Sequence, residues 1–187
     1  IGTLLSNPMN FRKPQEDNVN FHKGRYFHQL ILEPGKASET KFVDVSTRTT
    51  KAYKEYLETV PQDIVMLEKE GQEVKEIQGM MWKGKADIIC PDKIIDLKST
   101  GDITKFKWSA SKYNYDSQCY IYQELFGKPL VFYVVDKTTK MLGIYHPSAE
   151  FVERGRNKVT EAIKVYNKFF GDNPQEDINE FYINEIL

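Results

Sequence analysis

The sequence predicts an α/β domain, a sheet flanked by helices, and three observations carry that prediction. Two short Ile-rich runs, 86–90 and 94–97, flank Pro91-Asp92 and read as a β-hairpin with a two-residue turn. The run LVFYVVD at 130–136 is almost continuously apolar, the pattern of a central strand covered on both faces. Around these strands lie stretches of helical period at about 18–33, 105–127 and 148–171.

Composition sets the class and little more. A chain of 187 residues is expected to form a single domain over 1–187, large enough to bury a core without staples. Hydrophobic residues at 40% and charged residues at 28% exclude disordered and membrane classes. No apolar run approaches the roughly 20 residues that span a bilayer. The opening residues lack the basic segment and apolar stretch of a signal peptide. Cys90 and Cys119 make neither a disulfide framework nor a cysteine metal cluster, and both read as small core residues in a reducing compartment. A net charge of −1 gives no global attraction to nucleic acid, so any such binding needs a local basic groove.

In chain order, Pro8 and Pro14 interrupt the first segment. Asn18 or Asn20 caps a helix running to about Glu33, with Phe27, Leu30 and Ile31 as its buried stripe and Pro34-Gly35 as its stop. His28 lies beside that stripe and reads either as a half-buried helical histidine or as a metal ligand. A strand is expected at 42–45, then charged helices at 51–60 and 63–70, divided by Pro61. The charges of the first read as a solvated face, with Arg48 and Lys51 as weaker phosphate contacts. A single strand is expected at 74–82, entering the hairpin through a turn at Lys83-Gly84 and joining it in one sheet.

The stretch 105–127 reads as one helix closed by Gly127, with Tyr115, Gln118 and Tyr122 on a shared face. Tyrosines so spaced are ordinarily core, whereas a glutamine among them must find a partner. Lys105, Lys107 and Lys112, interleaved with Trp108 and Tyr113, fit a nucleic-acid groove or a solvated face equally well. A strand follows the central one at 141–146. Ser148 then caps a long helix with an apolar stripe from Val152 to Phe170, ended by Gly171. The acidic tail carries a late apolar cluster, Phe181 to Ile183 with Ile186 and Leu187, suited to packing on the core or on a second subunit.

The hairpin holds the chemistry. Its two-residue turn sets Ile89 against Ile94 and Asp87 against Asp96, while alternation puts Lys98 on the face of Asp96. Opposed carboxylates repel unless something bridges them, and a divalent cation does so. Mg²⁺ takes hard oxygen ligands from one or two carboxylates and keeps several waters. It can activate a water, neutralise a phosphoryl transition state and stabilise the leaving alkoxide. Asp87, Asp96 and the carbonyl of Leu97 are the candidate ligands, and the Lys98 ammonium would hold the attacking water. The spacing alone is weak evidence, because it recurs by chance.

The segment GKAD (84–87), eight residues, then DLKST (96–100) resembles the catalytic hairpin of PD-(D/E)XK nucleases. The likeness is greatest to the RecE-like phage and prophage exonucleases of the RecB-type group, and it extends along the chain. SNPMNF (6–11), GRYFHQLILEP (24–34), RTTKAYKEY (48–56) and YNYDSQCYIY (113–122) resemble that family's further segments in the same order. The resemblance implies a restriction-endonuclease-like α/β core with a mixed central sheet flanked by helices. It implies one or two Mg²⁺ ions per site, with Mn²⁺ as the alternative. His28, Asp87, Asp96 and Leu97 would be the metal ligands, and Lys98 would position the nucleophilic water. Gln118 and Tyr122 would pack against the hairpin, steadying Lys98 or touching DNA, and Glu33 and Glu76 are weaker outer candidates. Lys85 stands where many relatives carry Arg, and Asp96 where many nucleases of the wider fold carry Glu. An iron–sulfur cluster of the RecB group needs four cysteines, which two cannot supply.

The implied activity is metal-dependent exonucleolytic hydrolysis of linear double-stranded DNA, 5′→3′, leaving 3′ single strands for recombination. The implied partners are DNA ends, a RecT-like annealing protein and further copies in a ring trimer or tetramer, in the cytoplasm of a bacterial host. The rivals are a structure-specific or single-strand endonuclease on the same core and a non-cleaving DNA-binding module. The endonuclease would nick closed circles, which an exonuclease spares. The non-cleaving module gives no physical reason to keep opposed carboxylates beside a lysine.

Overall fold

The computed structural model of the protein describes residues 1–14, 18–33, 35–36, 68–139 and 141–184. The expected strand at 42–45, the helix at 51–60, Arg48 and Lys51 lie outside them, as do the side chains of Phe27, Leu30 and Ile31. Five helices are described: α1 (Gly2–Ser6), α2 (Val19–Leu32), α3 (Phe106–Lys112), α4 (Tyr115–Phe126) and α5 (Ala149–Phe169). Seven strands accompany them: β1 (Glu68–Lys69), β2 (Gln72–Ile77), β3 (Met80–Lys85), β4 (Ile88–Ile89), β5 (Ile94–Thr100), β6 (Leu130–Asp136) and β7 (Leu142–Tyr145). No helix among the described residues is long and apolar enough to cross a membrane.

The central sheet has the order β1-β4-β5-β6-β7, parallel between β5 and β6 and antiparallel elsewhere. This is the mixed, helix-flanked α/β sheet that the sequence predicts. The parallel step requires a crossover, and α3 with α4 supplies it. Every residue of β6 is buried, as its apolar run implies. Alternation along β5 divides the core: Ile95 and Leu97 join Leu32 and Val131 on one face, while Ile94 joins Phe106, Cys119 and Phe132 on the other. The hairpin register is the expected one, Ile89 against Ile94 and Ile88 against Ile95.

Five local expectations fail. The single strand at 74–82 is a hairpin, β2 and β3, turning at Gln78-Gly79 with φ of 53° and 74°. Two successive positive φ values make the tight turn that suits strand twist, here built on Gln-Gly instead of the usual Asn-Gly. This hairpin forms a sheet of its own and does not extend the central one. Lys83-Gly84 is no turn; it continues β3. An ideal Cβ on Gly84 would come 2.5 Å from Leu125 and 3.2 Å from the Tyr122 ring, so the glycine admits α4.

The helix expected over 105–127 divides at Asn114, whose left-handed backbone (φ 58°, ψ 34°) ends one helix and opens the next. Asn tolerates that conformation better than most side chains. Last, Glu68–Lys69 is a strand paired with Ile88 and Ile89, so a helix cannot run through to residue 70.

The helical caps agree with their sequence signals. The Asn18 side chain accepts from the Asn20 amide, and Ser148 accepts from the Phe151 amide. Gly127 closes α4 with φ of 65°. In the tail, Phe181 packs edge-on to Phe169, while Tyr182 and Ile183 are exposed.

Candidate active site

The site begins where a ladder stops. β4 is two residues long, and its pairing with β5 ends at Ile88 against Ile95. Beyond that point the Leu97 amide and carbonyl lose a strand partner on this side, and two side chains replace it. Asp87 Oδ2 accepts from the Leu97 amide at 2.7 Å, and His28 Nε2 meets the Leu97 carbonyl at 2.9 Å. His28 Nε2 also lies 3.4 Å from Asp87 Oδ2. A buried backbone pair must be satisfied by something, and here candidate ligands do it.

The other His28 nitrogen, Nδ1, faces the Gly24 carbonyl one helical turn back at 2.9 Å. Carbonyl oxygens only accept, so both ring nitrogens carry hydrogen and the imidazole is held as a cation. Burial opposes that charge, but the hydrogen bond to Asp87 and its negative charge outweigh burial and raise the His28 pKa from 6.5 to about 9.

On the opposite face of β5, Asp96 and Lys98 stand one pleat apart, with Lys98 Nζ 2.6 Å from Asp96 Oδ2. Gln118 Nε2 donates to Asp96 Oδ1 at 2.6 Å from α4. The Lys98 ammonium also sits over the Tyr115 ring, 4.6 Å from its centroid. Asp96 is 4% exposed, and burial pushes its carboxyl above the usual range despite Lys98. Lys98 is raised as well: burial favours its neutral form, and the Asp96 charge more than offsets that. It is therefore an ammonium, a donor and counter-charge rather than a base.

His28, Asp87, Leu97, Asp96, Lys98 and Gln118 are thus brought together. Gln118 meets the hairpin at Asp96, the ion-pair partner of Lys98. The Tyr122 hydroxyl donates to the Lys85 carbonyl at 3.0 Å and ties α4 to the end of β3. Lys85 pairs with Glu70 at 2.6 Å. Glu33 caps α2 and pairs with Lys36. Glu76 is exposed on β2, opposite Met81. Sequence reasoning gave Tyr115 no role beyond core; its helical spacing with Gln118 was the signal available.

Among the described residues no group of three His, Cys, Asp or Glu side chains is placed to hold a metal ion as it stands. The donors nevertheless fit one. Asp96 Oδ2 is buried, and the partner it has is the Lys98 ammonium at 2.6 Å. With Asp87 Oδ2 and the Leu97 carbonyl it offers the hard oxygens that Mg²⁺ and Mn²⁺ prefer, and His28 Nε2 adds an imidazole once its proton is lost.

Comparison with solved structures bears on the fold. A candidate exonuclease from Eubacterium rectale superposes with a TM-score of 0.62 over 95% of this chain and 80% of its own, at 20% identity. The protein SSO0001 gives a TM-score of 0.43 over 89% and 86%, at 16% identity. No curated protein matches the chain in sequence. Residues 6–175, which contain every site residue named above, match the PDDEXK-like domain of unknown function DUF3799, and the chain belongs to that family.

Proposed function

We propose that this domain is a divalent-metal-dependent deoxyribonuclease that removes nucleotides from the ends of linear duplex DNA, working from the 5′ strand. The observation that carries this reading is the ion pair of the buried Asp96 with the Lys98 ammonium, beside the Asp87–Leu97–His28 cluster. Membership in the PDDEXK-like family supports it.

His28, Asp87, Asp96 and the Leu97 carbonyl would hold the metal. When bound, a Mg²⁺ or Mn²⁺ ion lowers the pKa of a coordinated water and offsets charge on the phosphoryl oxygens. The chain supplies the rest. His28 Nε2 would join the ligand set only once its proton is lost to solvent. Lys98 Nζ donates to the water that attacks phosphorus and counters the charge that grows there. Gln118 fixes the Asp96 carboxylate through Oδ1 and leaves Oδ2 to Lys98. Tyr115 limits where the Lys98 ammonium can swing. The ring assembly and the annealing partner belong to the same proposal, on the resemblance alone.

The test is nucleotide release from linear duplexes blocked by phosphorothioates at the 5′ or the 3′ end, with closed circular DNA alongside. Wild type with Mg²⁺ should release nucleotides unless the 5′ end is blocked and should spare circles; Asp96→Ala should release none. Folded wild type that releases nothing with either metal would overturn the reading.

A further inference from the structure

Between Asp102 and Asp116 the chain has no acidic residue, and it carries Lys105, Lys107 and Lys112 among Phe106, Trp108, Tyr113 and Tyr115. The structure gives these aromatics two different fates. Phe106 and Tyr115 pack into the core with Phe132 and Tyr145. Trp108 is 82% exposed and Tyr113 61% exposed, although α3 has a buried face on which either could have been placed. That face is taken by Phe106 and Ala110. Trp108 and Lys112 stand four residues apart, so they share the opposite, outward face. Lys107 and Lys112 are exposed as well.

The two fates meet at Tyr115. Its ring centroid lies 4.6 Å from Lys98 Nζ and 6.1 Å from that of Tyr113, whose ring is tilted by 39° to it. A line of aromatic surface therefore leads from the ammonium beside Asp96, over a core-anchored ring, to a ring in solvent. The left-handed Asn114 makes this possible: it ends α3 and lets Tyr113 leave the helical path while Tyr115 returns to the core. Exposed rings flanked by cations, with no carboxylate among them, suit a partner that offers both phosphates and flat bases. A paired duplex keeps its base faces stacked inside, so this surface fits an unpaired strand.

Resting on the nuclease reading of the same site, we propose that Tyr113 and Trp108, with Lys107 and Lys112, form a single-strand binding track, on which bases at an opened DNA end stack beside the scissile phosphate. The duplex end is unpaired before cleavage, and Tyr115 is the fixed ring that aligns the track with Lys98. Tyr113 and Trp108 bind and position the strand; they take no part in the chemistry.

The experiment uses the full chain carrying Asp96→Asn, without added metal, so that binding is read apart from cleavage. Fluorescence anisotropy compares a short oligo-dT with an abasic oligonucleotide of the same length and charge. Stacking predicts that the abasic strand binds about tenfold more weakly, that Tyr113→Ala and Trp108→Ala each weaken oligo-dT by a similar factor, and that Tyr113→Phe restores binding. Equal binding of both oligonucleotides, or indifference to both alanine variants, overturns the track. So does self-association that Trp108→Ala abolishes while DNA binding stays unchanged, since the face would then be a subunit interface. A wild type that cleaves normally while the track fails leaves the nuclease reading standing; a wild type that binds single strands but never cleaves does the reverse.

Discussion

Asp116, at the start of α4, is fully enclosed, and both of its oxygens are engaged. Oδ1 accepts from the Ser117 amide at 2.9 Å and from Lys158 at 3.1 Å, and Oδ2 takes Arg154 at 2.8 Å and Lys158 at 2.9 Å. Asp96, on β5, is buried almost as deeply, but each of its oxygens has a single partner, Gln118 on Oδ1 and Lys98 on Oδ2. The two pKa values part accordingly. Burial raises Asp116, but the bonds from Arg154, Lys158 and Ser117 hold it below the ordinary range, whereas burial carries Asp96 above it. Asp136 repeats the first pattern with the amides of Ile103, Thr138 and Thr139. A carboxylate buried for structure is saturated by its neighbours, whereas one with a single partner on each oxygen keeps lone pairs that a metal ion can use. The comparison separates scaffold from site without reference to any relative.

Breaking it at the saturated end should have the largest effect on stability. Asp116→Ala leaves Arg154 and Lys158 without their buried partner and should cost about 3 kcal/mol, read from urea midpoints. Asp96→Asn keeps the shape and the Gln118 contact, so it should stay within about 1 kcal/mol of wild type while nucleotide release falls at least roughly a thousandfold. If Asp96→Asn destabilises as much as Asp116→Ala, the distinction fails.

The same helix can be displaced from its other side. A Cβ on Gly155 of α5 would overlap the Asp116 carbonyl, so the glycine sets how closely α5 approaches α4. Gly155→Ala should cost about 3 kcal/mol by overpacking, and it should impair nucleotide release by moving Gln118 away from Asp96. Gly24→Ala in α2 is the control, because among the described residues a Cβ there meets nothing within 4 Å. That change should stabilise by roughly 0.5–1 kcal/mol, the helical advantage of Ala over Gly.

What the sequence disclosed follows the range of each signal. Pro91-Asp92 between apolar runs is a local pattern, and it sets the register that puts Asp87, Asp96 and Lys98 together. LVFYVVD announces burial on both faces, and Ser148 announces a helix start. The Gln78-Gly79 turn is local too, but Gln is rare at positive φ, so apolar counting ran straight through it. The break at Asn114 was hidden because 105–127 is helical in composition on both sides of one residue. The reason for Gly84 lies at Tyr122 and Leu125, far along the chain, where no window of sequence reaches. The Asp116 ion cluster was invisible for the same reason: its partners are Ser117, next to it, and Arg154 and Lys158, a helix away. His28 was legible through the likeness of GRYFHQLILEP; its hold on the Leu97 carbonyl depends on where β4 stops.

The smallest effect, and the one that most sharpens the comparison, is the dependence of stability on pH in metal-free buffer with EDTA. Asp116 has a folded pKa below its ordinary 3.8, so its contribution is present above that value and lost as pH falls through the folded one. Asp116→Asn should therefore flatten the acid limb of the stability curve. His28 has the opposite sign. Its folded pKa of about 9 exceeds 6.5, so its contribution is complete below pH 6.5 and disappears as pH rises through about 9. Its side chain is 32% exposed, and solvent screening reduces the effect to about 1–2 kcal/mol. Urea midpoints across this window should fall for wild type and stay level for His28→Gln, whose amide cannot titrate. If His28→Gln falls in parallel with wild type, the alkaline limb belongs to another group and His28 is not the cation that closes the site without metal.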